Sequence, residues 1–237
     1  MVAKNKELYD KLWDNIAVRG YREYPTWKIL RKFITKKSKL LELGPGVRPK
    51  IPVKGSYFID RSENAVKKLN KLGGHAIKGC LKKIPFSNSY FDLVCGFDIL
   101  EHIKDDQKVM GEVSRVLKKK GKFILSAPLH KLFYDEFDQA CGHIRRYDPK
   151  ELEKKLSSVN FKIIAFSDYG IRLKNKFFNK IGAIVLTKAP NFSIKFQDIF
   201  LTFLLKREKK KIKLQNGNIS EELDKMHAVM MIAEKMR

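Results

Sequence analysis

The chain has 237 residues, 43% of them hydrophobic and 11% aromatic, which is enough to bury a full-sized core and excludes global disorder. Its 50 Lys and Arg against 26 Asp and Glu give a net charge of +24, which suits a polyanionic partner (nucleic acid, anionic lipid or a phosphorylated substrate) and equally the Lys- and Glu-rich surface of a heat-adapted protein. Scattered Cys80, Cys95 and Cys141, no leader-like segment and no apolar run of roughly 20 residues predict no disulfide framework, no zinc or other metal and no membrane span, so the expected location is the cytoplasm.

Leu8, Leu12 and Ile16 recur at helical spacing beside Tyr9 and Trp13, and predict a first helix over 8–18. A second helix is predicted from Thr26, burying Trp27, Leu30, Phe33 and Ile34, so residues 1–37 read as a helical cap. Short apolar runs at 39–43, 56–59, 75–78, 91–96 and 122–126 predict strands with helical patterns between them. Val109, Val113, Val116 and Leu117 line one face of a helix expected to end at "KKKG". Strands alternating with helices require a parallel sheet with right-handed crossovers. After Ala127 a long polar segment follows, "PLHKLFYDEFDQACGHIRRYDP". Asp148-Pro149 with Glu151 behind it predicts an N-cap, a first-turn proline and a capping-box acid. Runs at 161–166 and 228–233 predict two closing strands. With no internal repeat and no linker, the chain reads as one domain, with a core at 38–170 and 224–237 and a substrate-side insertion at 171–223.

The stretch "KLLELGPGVRPKIPVKGSYFID" carries the first candidate site. Ligands of an open parallel sheet bind at the carboxyl ends of its strands. Gly44 and Gly46 let backbone and ligand approach closely, Glu42 sits at the first strand's end, and Asp60 ends the second, where a carboxylate accepts both hydroxyls of a ribose. Pro49 and Pro52 fall where a crossover helix would stand, so the connection is expected to be clipped and extended.

The order E-x-G-x-G followed by a second-strand acid resembles the class I S-adenosylmethionine-dependent methyltransferases. The stretch "IPFSNSYFDLVCGFDILEHIKDDQKVMGEVSRVLKKKGKFILSAP" is similar to that family's middle element by element, and "MHAVMMIAEK" to its last antiparallel strand. The resemblance implies an α/β, Rossmann-like, doubly wound sheet of seven strands in the order 3-2-1-4-5-7-6, strand 7 antiparallel. It further implies S-adenosylmethionine as cofactor, with Glu42, Gly44 and Gly46 flanking its methionine part and Asp60 holding its ribose. Cys80 and Leu81 would lie beside the adenine, and Phe97 and Asp98 would close the pocket. Cys80 departs from the acid that family members often carry there, which leaves the Leu81 backbone and packing to hold the base.

A sulfonium methyl is already activated, so transfer needs positioning, desolvation and a nucleophile, with a base if that nucleophile is oxygen. His102, Asp135, Glu136 and His143 are the candidate bases. His102 belongs to the family's Glu-His pair, which also shapes the cofactor pocket. "GHIRRY" resembles members that cluster with glycan and lipid biosynthesis, where Arg145 and Arg146 would clamp a phosphate or carboxylate, or pair with Asp138 and Asp148 to order the loop. The expected acceptor is a small molecule or a lipid- or sugar-linked group. The alternatives are RNA, favoured by charge but lacking the Asn/Asp-Pro-Pro-Tyr motif, and cofactor binding without catalysis. Phe192, Phe196, Ile199, Phe200 and Phe203 beside Lys206, Lys209, Lys210, Lys211 and Lys213 read as an interfacial helix for anionic membranes, or as a helix packed over the sheet.

Overall fold

The computed structural model describes residues 13, 16–169, 184, 214–215 and 223–237. Most of the helix predicted over 8–18 and the interfacial stripe with its basic run therefore lie outside the described residues.

"LLEL" is buried at every position because both faces of its strand are covered, the signature of a central parallel strand. This is β1 (Leu40–Leu43), flanked in parallel by β2 (Tyr57–Asp60) and β4 (Phe91–Phe97). β3 (His75–Lys78) runs parallel to β2, and β5 (Leu117–Pro128) parallel to β4. β6 (Phe161–Asp168) and β7 (Ala228–Lys235) close the sheet, β7 antiparallel to both β5 and β6. The order β3-β2-β1-β4-β5-β7-β6 agrees with the expected seven-stranded arrangement. Side chains on the two faces build separate clusters, one around Val94, Phe123 and Tyr147, the other around Phe58, Leu93 and Ile124.

The helices are α1 (Trp27–Leu30), α2 (Glu63–Lys71), α3 (Asp106–Val116), α4 (Glu136–Cys141) and α5 (Pro149–Ser157). α1 is a single turn tightening into 3-10 geometry at Arg31–Phe33, so it buries Ile29 and Leu30 while Trp27, Phe33 and Ile34 stay half-buried. The residues between β1 and β2 form bends and turns without a helix, as the prolines predict. Two expectations need correction. "KKKG" lies inside β5, because Leu117 turns extended after α3 and pairs with Phe91, and Lys118 binds Asp92 at 2.7 Å. Asp148 does cap α5, accepting from the Lys150 N–H, but Glu151 reaches Lys131 at 2.7 Å rather than closing a capping box.

Arg115 on α3 locks the segment before β4. Its guanidinium donates to the Ile84 and Phe86 carbonyls and to Glu112, which accepts in turn from the Ile84 N–H. That explains structurally why an Arg stands in this part of the sequence.

Candidate active site

β1 hands over to a turn in which Gly44 (φ 59°) and Gly46 (φ 55°) take left-handed conformations that cost other residues energy. The Gly44 N–H donates to the Ile59 carbonyl at 2.8 Å, and the Gly46 N–H donates to Asp60 Oδ2 at 2.8 Å. Asp60 Oδ1 accepts from the Ser62 N–H at 2.8 Å. Asp60 thus latches the glycine turn to the second strand through both of its carboxylate oxygens. A Cβ on Gly44 would stand 2.5 Å from Ile99 Cδ1, and one on Gly46 would stand 2.8 Å from the Trp13 indole. Gly44→Ala is accordingly expected to lower stability by about 1–2 kcal/mol, read by thermal denaturation; an unchanged melting temperature would show that the turn relaxes freely.

Trp13 brings the N-terminal segment onto this turn. Lys68 of α2 donates to the Trp13 and Ile16 carbonyls, and the Arg48 guanidinium lies 5.7 Å from the Trp13 ring centroid. Glu42, fully buried, accepts from the Lys50 N–H at 2.9 and 3.0 Å and from the Ile51 N–H at 3.3 Å. The acid therefore secures the clipped crossover that replaces the usual helix. Burial pushes the Glu42 carboxyl up and the Lys50 ammonium down, against their mutual attraction. Lys50 Nζ sits 3.7 Å from the Tyr24 ring centroid. The Tyr24 hydroxyl is buried with no hydrogen-bond partner among the described residues, near the positive charges of Arg48 and Arg19 and the negative charge of Glu42. Tyr24 and Lys50 were missed in the sequence; no spacing links them to the glycine turn, and only the chain path from α1 and the crossover brings them there.

Asp98 directly follows β4 in a left-handed conformation, φ 49°, and exchanges two hydrogen bonds with Ser126 near the end of β5. Phe97 is buried against Tyr169, whose hydroxyl is pushed up by burial and by the Asp98 charge. Beyond β3, Leu81 is buried and Cys80 exposed.

The 3-10 turn Leu100–His102 follows and places Glu101 and His102 under the loop after β5. Glu101 is 0% exposed, and among the described residues neither carboxylate oxygen has a hydrogen-bond partner. Burial, with the charges of Asp98 and Asp138, pushes its carboxyl well up. Burial and neighbouring His143 lower the His102 imidazole to about 4. Gly142, left-handed at φ 80°, ends α4 and turns the chain so that His143 faces back. The His102 and His143 rings meet edge to face at 4.8 Å. Glu101, His102 and His143 each bring one potential ligand atom within 4.8 Å of the others, a grouping no spacing in the sequence shows, since His143 arrives from 41 residues away only through the fold.

Two buried acids organise "GHIRRY". Asp138 accepts from His143 Nδ1 and Arg146 Nε, each at 2.7 Å. Asp106 accepts from the Tyr147 hydroxyl at 2.7 Å and Lys155 at 2.9 Å, and pairs with Arg145 at 3.0 Å. Arg145 also donates to the Lys104 carbonyl at 2.8 Å. The expected pairing with Asp148 is not made by either arginine in these contacts, because Asp148 caps α5.

A sheet of this order, with a glycine turn latched by a second-strand acid, is the class I methyltransferase architecture. Residues 49–125 match the methyltransferase domain family. A "probable S-adenosylmethionine-dependent methyltransferase" of Mycolicibacterium smegmatis is 29% identical over 87 residues, covering 36% of this chain and 34% of that protein. An uncharacterised protein of Methanocaldococcus jannaschii is 34% identical over 101 residues, 41% of this chain and 44% of that one. The chain thus spans less than half the length of these curated relatives. A Thermotoga maritima structure described as a SAM-dependent methyltransferase, possible histamine N-methyltransferase, shares the fold at 13% identity and TM-score 0.57, covering 91% of each chain. Residues 49–125 thus resemble a methyltransferase domain, and the described residues share the fold of solved S-adenosylmethionine-dependent methyltransferases. Among the described residues no helix is long and apolar enough to cross a membrane.

Proposed function

We propose that this protein transfers the methyl group of S-adenosylmethionine to a small-molecule, lipid-linked or sugar-linked acceptor. The observation that carries the reading is the latch between Gly46 and Asp60, which sets a bare backbone turn beside the carboxylate that ends β2. The cofactor fits the residues present. Asp60 would take the ribose hydroxyls, and the buried Tyr24 hydroxyl near Glu42 and Arg48 suits the charged amino-acid end. Leu81 would pack on the adenine, and Phe97 would wall the reacting centre. The cofactor supplies an activated sulfonium methyl; the protein has to exclude water and align the acceptor.

Glu101, His102 and His143 face the acceptor side, where Asp138 fixes the His143 ring. Arg145, engaged by Asp106 and the Lys104 carbonyl, acts as a positioning residue for the loop rather than as an anion clamp. Calorimetry on chelator-treated protein is expected to show binding of S-adenosylmethionine and of its demethylated product. Labelled methyl transfer should then appear in a metabolite, lipid or glycan fraction. His143→Ala should cut that transfer while leaving cofactor affinity nearly unchanged. No cofactor binding by wild type would overturn the reading, and label confined to RNA would replace the acceptor class.

A further inference from the structure

We propose that Glu101, His102 and His143 form a binding site for a divalent transition-metal ion of the zinc type, placed to take an oxygen of the acceptor; the acceptor's part in this rests on the methyltransferase reading above. Three observations support it independently of that reading. The three side chains are a carboxylate and two imidazoles, and one ligand atom from each lies within 4.8 Å of the other two. Zinc–nitrogen and zinc–oxygen bonds of about 2.0–2.2 Å put tetrahedral ligands roughly 3.3 Å apart, so closing the site needs side-chain shifts of about an ångström or so. Such shifts lie within χ-angle adjustment.

Glu101 supplies the second observation. A fully buried carboxylate whose oxygens find no hydrogen-bond partner among the described residues is costly as an ion, and a cation between it and the histidines removes that cost. His143 Nε2 lies 3.8 Å from Glu101 Oε1, too far for a hydrogen bond and close enough to share an ion.

The third is the orientation of the imidazoles. His102 Nδ1 stands 3.1 Å from the Gly142 carbonyl oxygen, which can only accept, so Nδ1 carries the proton. His143 Nδ1 stands 2.7 Å from Asp138 Oδ1, itself held by Arg146. Both rings therefore hold Nδ1 in a hydrogen bond, the second-nitrogen anchor that metal-ligating histidines use to fix their tautomer and raise their basicity. The His143 side chain is 16% exposed, so the site is open to solvent on that side. Two imidazoles and one carboxylate leave coordination positions open, the pattern of catalytic rather than structural zinc sites.

The test uses the full chain, stripped with chelator and titrated with cobalt(II), whose visible absorption reports nitrogen and oxygen ligation, then with zinc(II). One equivalent of cobalt should develop the spectrum and zinc should displace it. Glu101→Gln and His143→Ala should each weaken cobalt binding at least tenfold, and Asp138→Asn about 10- to 100-fold through the lost orientation of His143. Wild type alone decides the matter if a variant fails to fold: absence of a stoichiometric cobalt spectrum overturns the site. An undiminished spectrum in folded Glu101→Gln and His143→Ala overturns it as well. Calorimetry with S-adenosylmethionine on the same samples separates the two proposals, because cobalt binding without cofactor binding would leave the metal site standing and fell the methyltransferase reading.

Discussion

Asp60→Ala weakens S-adenosylmethionine binding about 10- to 150-fold, the equivalent of roughly 1.5–3 kcal/mol for hydrogen bonds to a charged acceptor. Two effects combine in this expectation. The carboxylate would accept the ribose hydroxyls directly, and it also holds the Gly46 and Ser62 N–H groups at 2.8 Å each. Removing it leaves two buried donors unpaired and frees the glycine turn from β2. Asp60→Asn should fall between, since an amide offers one oxygen to two donors and turns its own N–H toward one of them. Calorimetry reads the affinity, and circular dichroism of the ligand-free variant separates loss of contact from loss of the turn. An unchanged affinity in Asp60→Ala would remove the ribose role from this residue.

Asp106→Ala is expected to cost about 3 kcal/mol of stability, near the lower bound for breaking a buried charged cluster because Arg145 and Lys155 keep some contact with water. Three partners lose their acceptor at once: the fully buried Tyr147 hydroxyl, Lys155 and Arg145. For a chain of this size the melting temperature should fall by roughly 6–12 °C. The cluster also sets a pH dependence. Burial raises the Asp106 carboxyl, but the bonds from Lys155 and Tyr147 and the Arg145 charge outweigh it and hold it below its ordinary value. A depressed folded-state acid contributes stability that is complete above its unfolded pKa, about 3.9, and is lost as pH falls through the lower folded value. Asp106→Asn should therefore flatten the acid limb of stability against pH, while wild type keeps the steeper loss. Identical acid limbs would show that the network contributes nothing ionic.

The loop containing Asp138 and Asp106's partners shows where sequence reading reaches its limit. "GHIRRY" is conspicuous as a run of chemistry-bearing residues, and both arginines could be imagined facing a substrate. Asp106 lies 39 residues before Arg145, on a helix whose face is set by packing against β5 and α5. No local spacing reveals that the arginine, the tyrosine and a lysine from α5 converge on it. The same holds for Glu101, which looked like half of a familiar Glu-His pair. That its buried carboxylate lies under His143 emerges only when α4 and Gly142 turn the chain back over it.

Alternation of apolar runs with helical patterns, the E-x-G-x-G turn, the acid ending β2 and the prolines in the first crossover were all legible in the sequence. Those features are local: strand burial, left-handed glycines and proline's fixed φ act over a few residues and need no distant partner. The tertiary structure alone decided which carboxylates hold backbone, which hold cations and which face histidines. It assigned Glu42 to the crossover amides, Asp106 and Asp138 to the loop, and Glu101 to the two histidines. The physical reason is that a buried charge takes its role from whatever the sheet order carries within a few ångströms of it, and that distance is set by the fold, not by position along the chain.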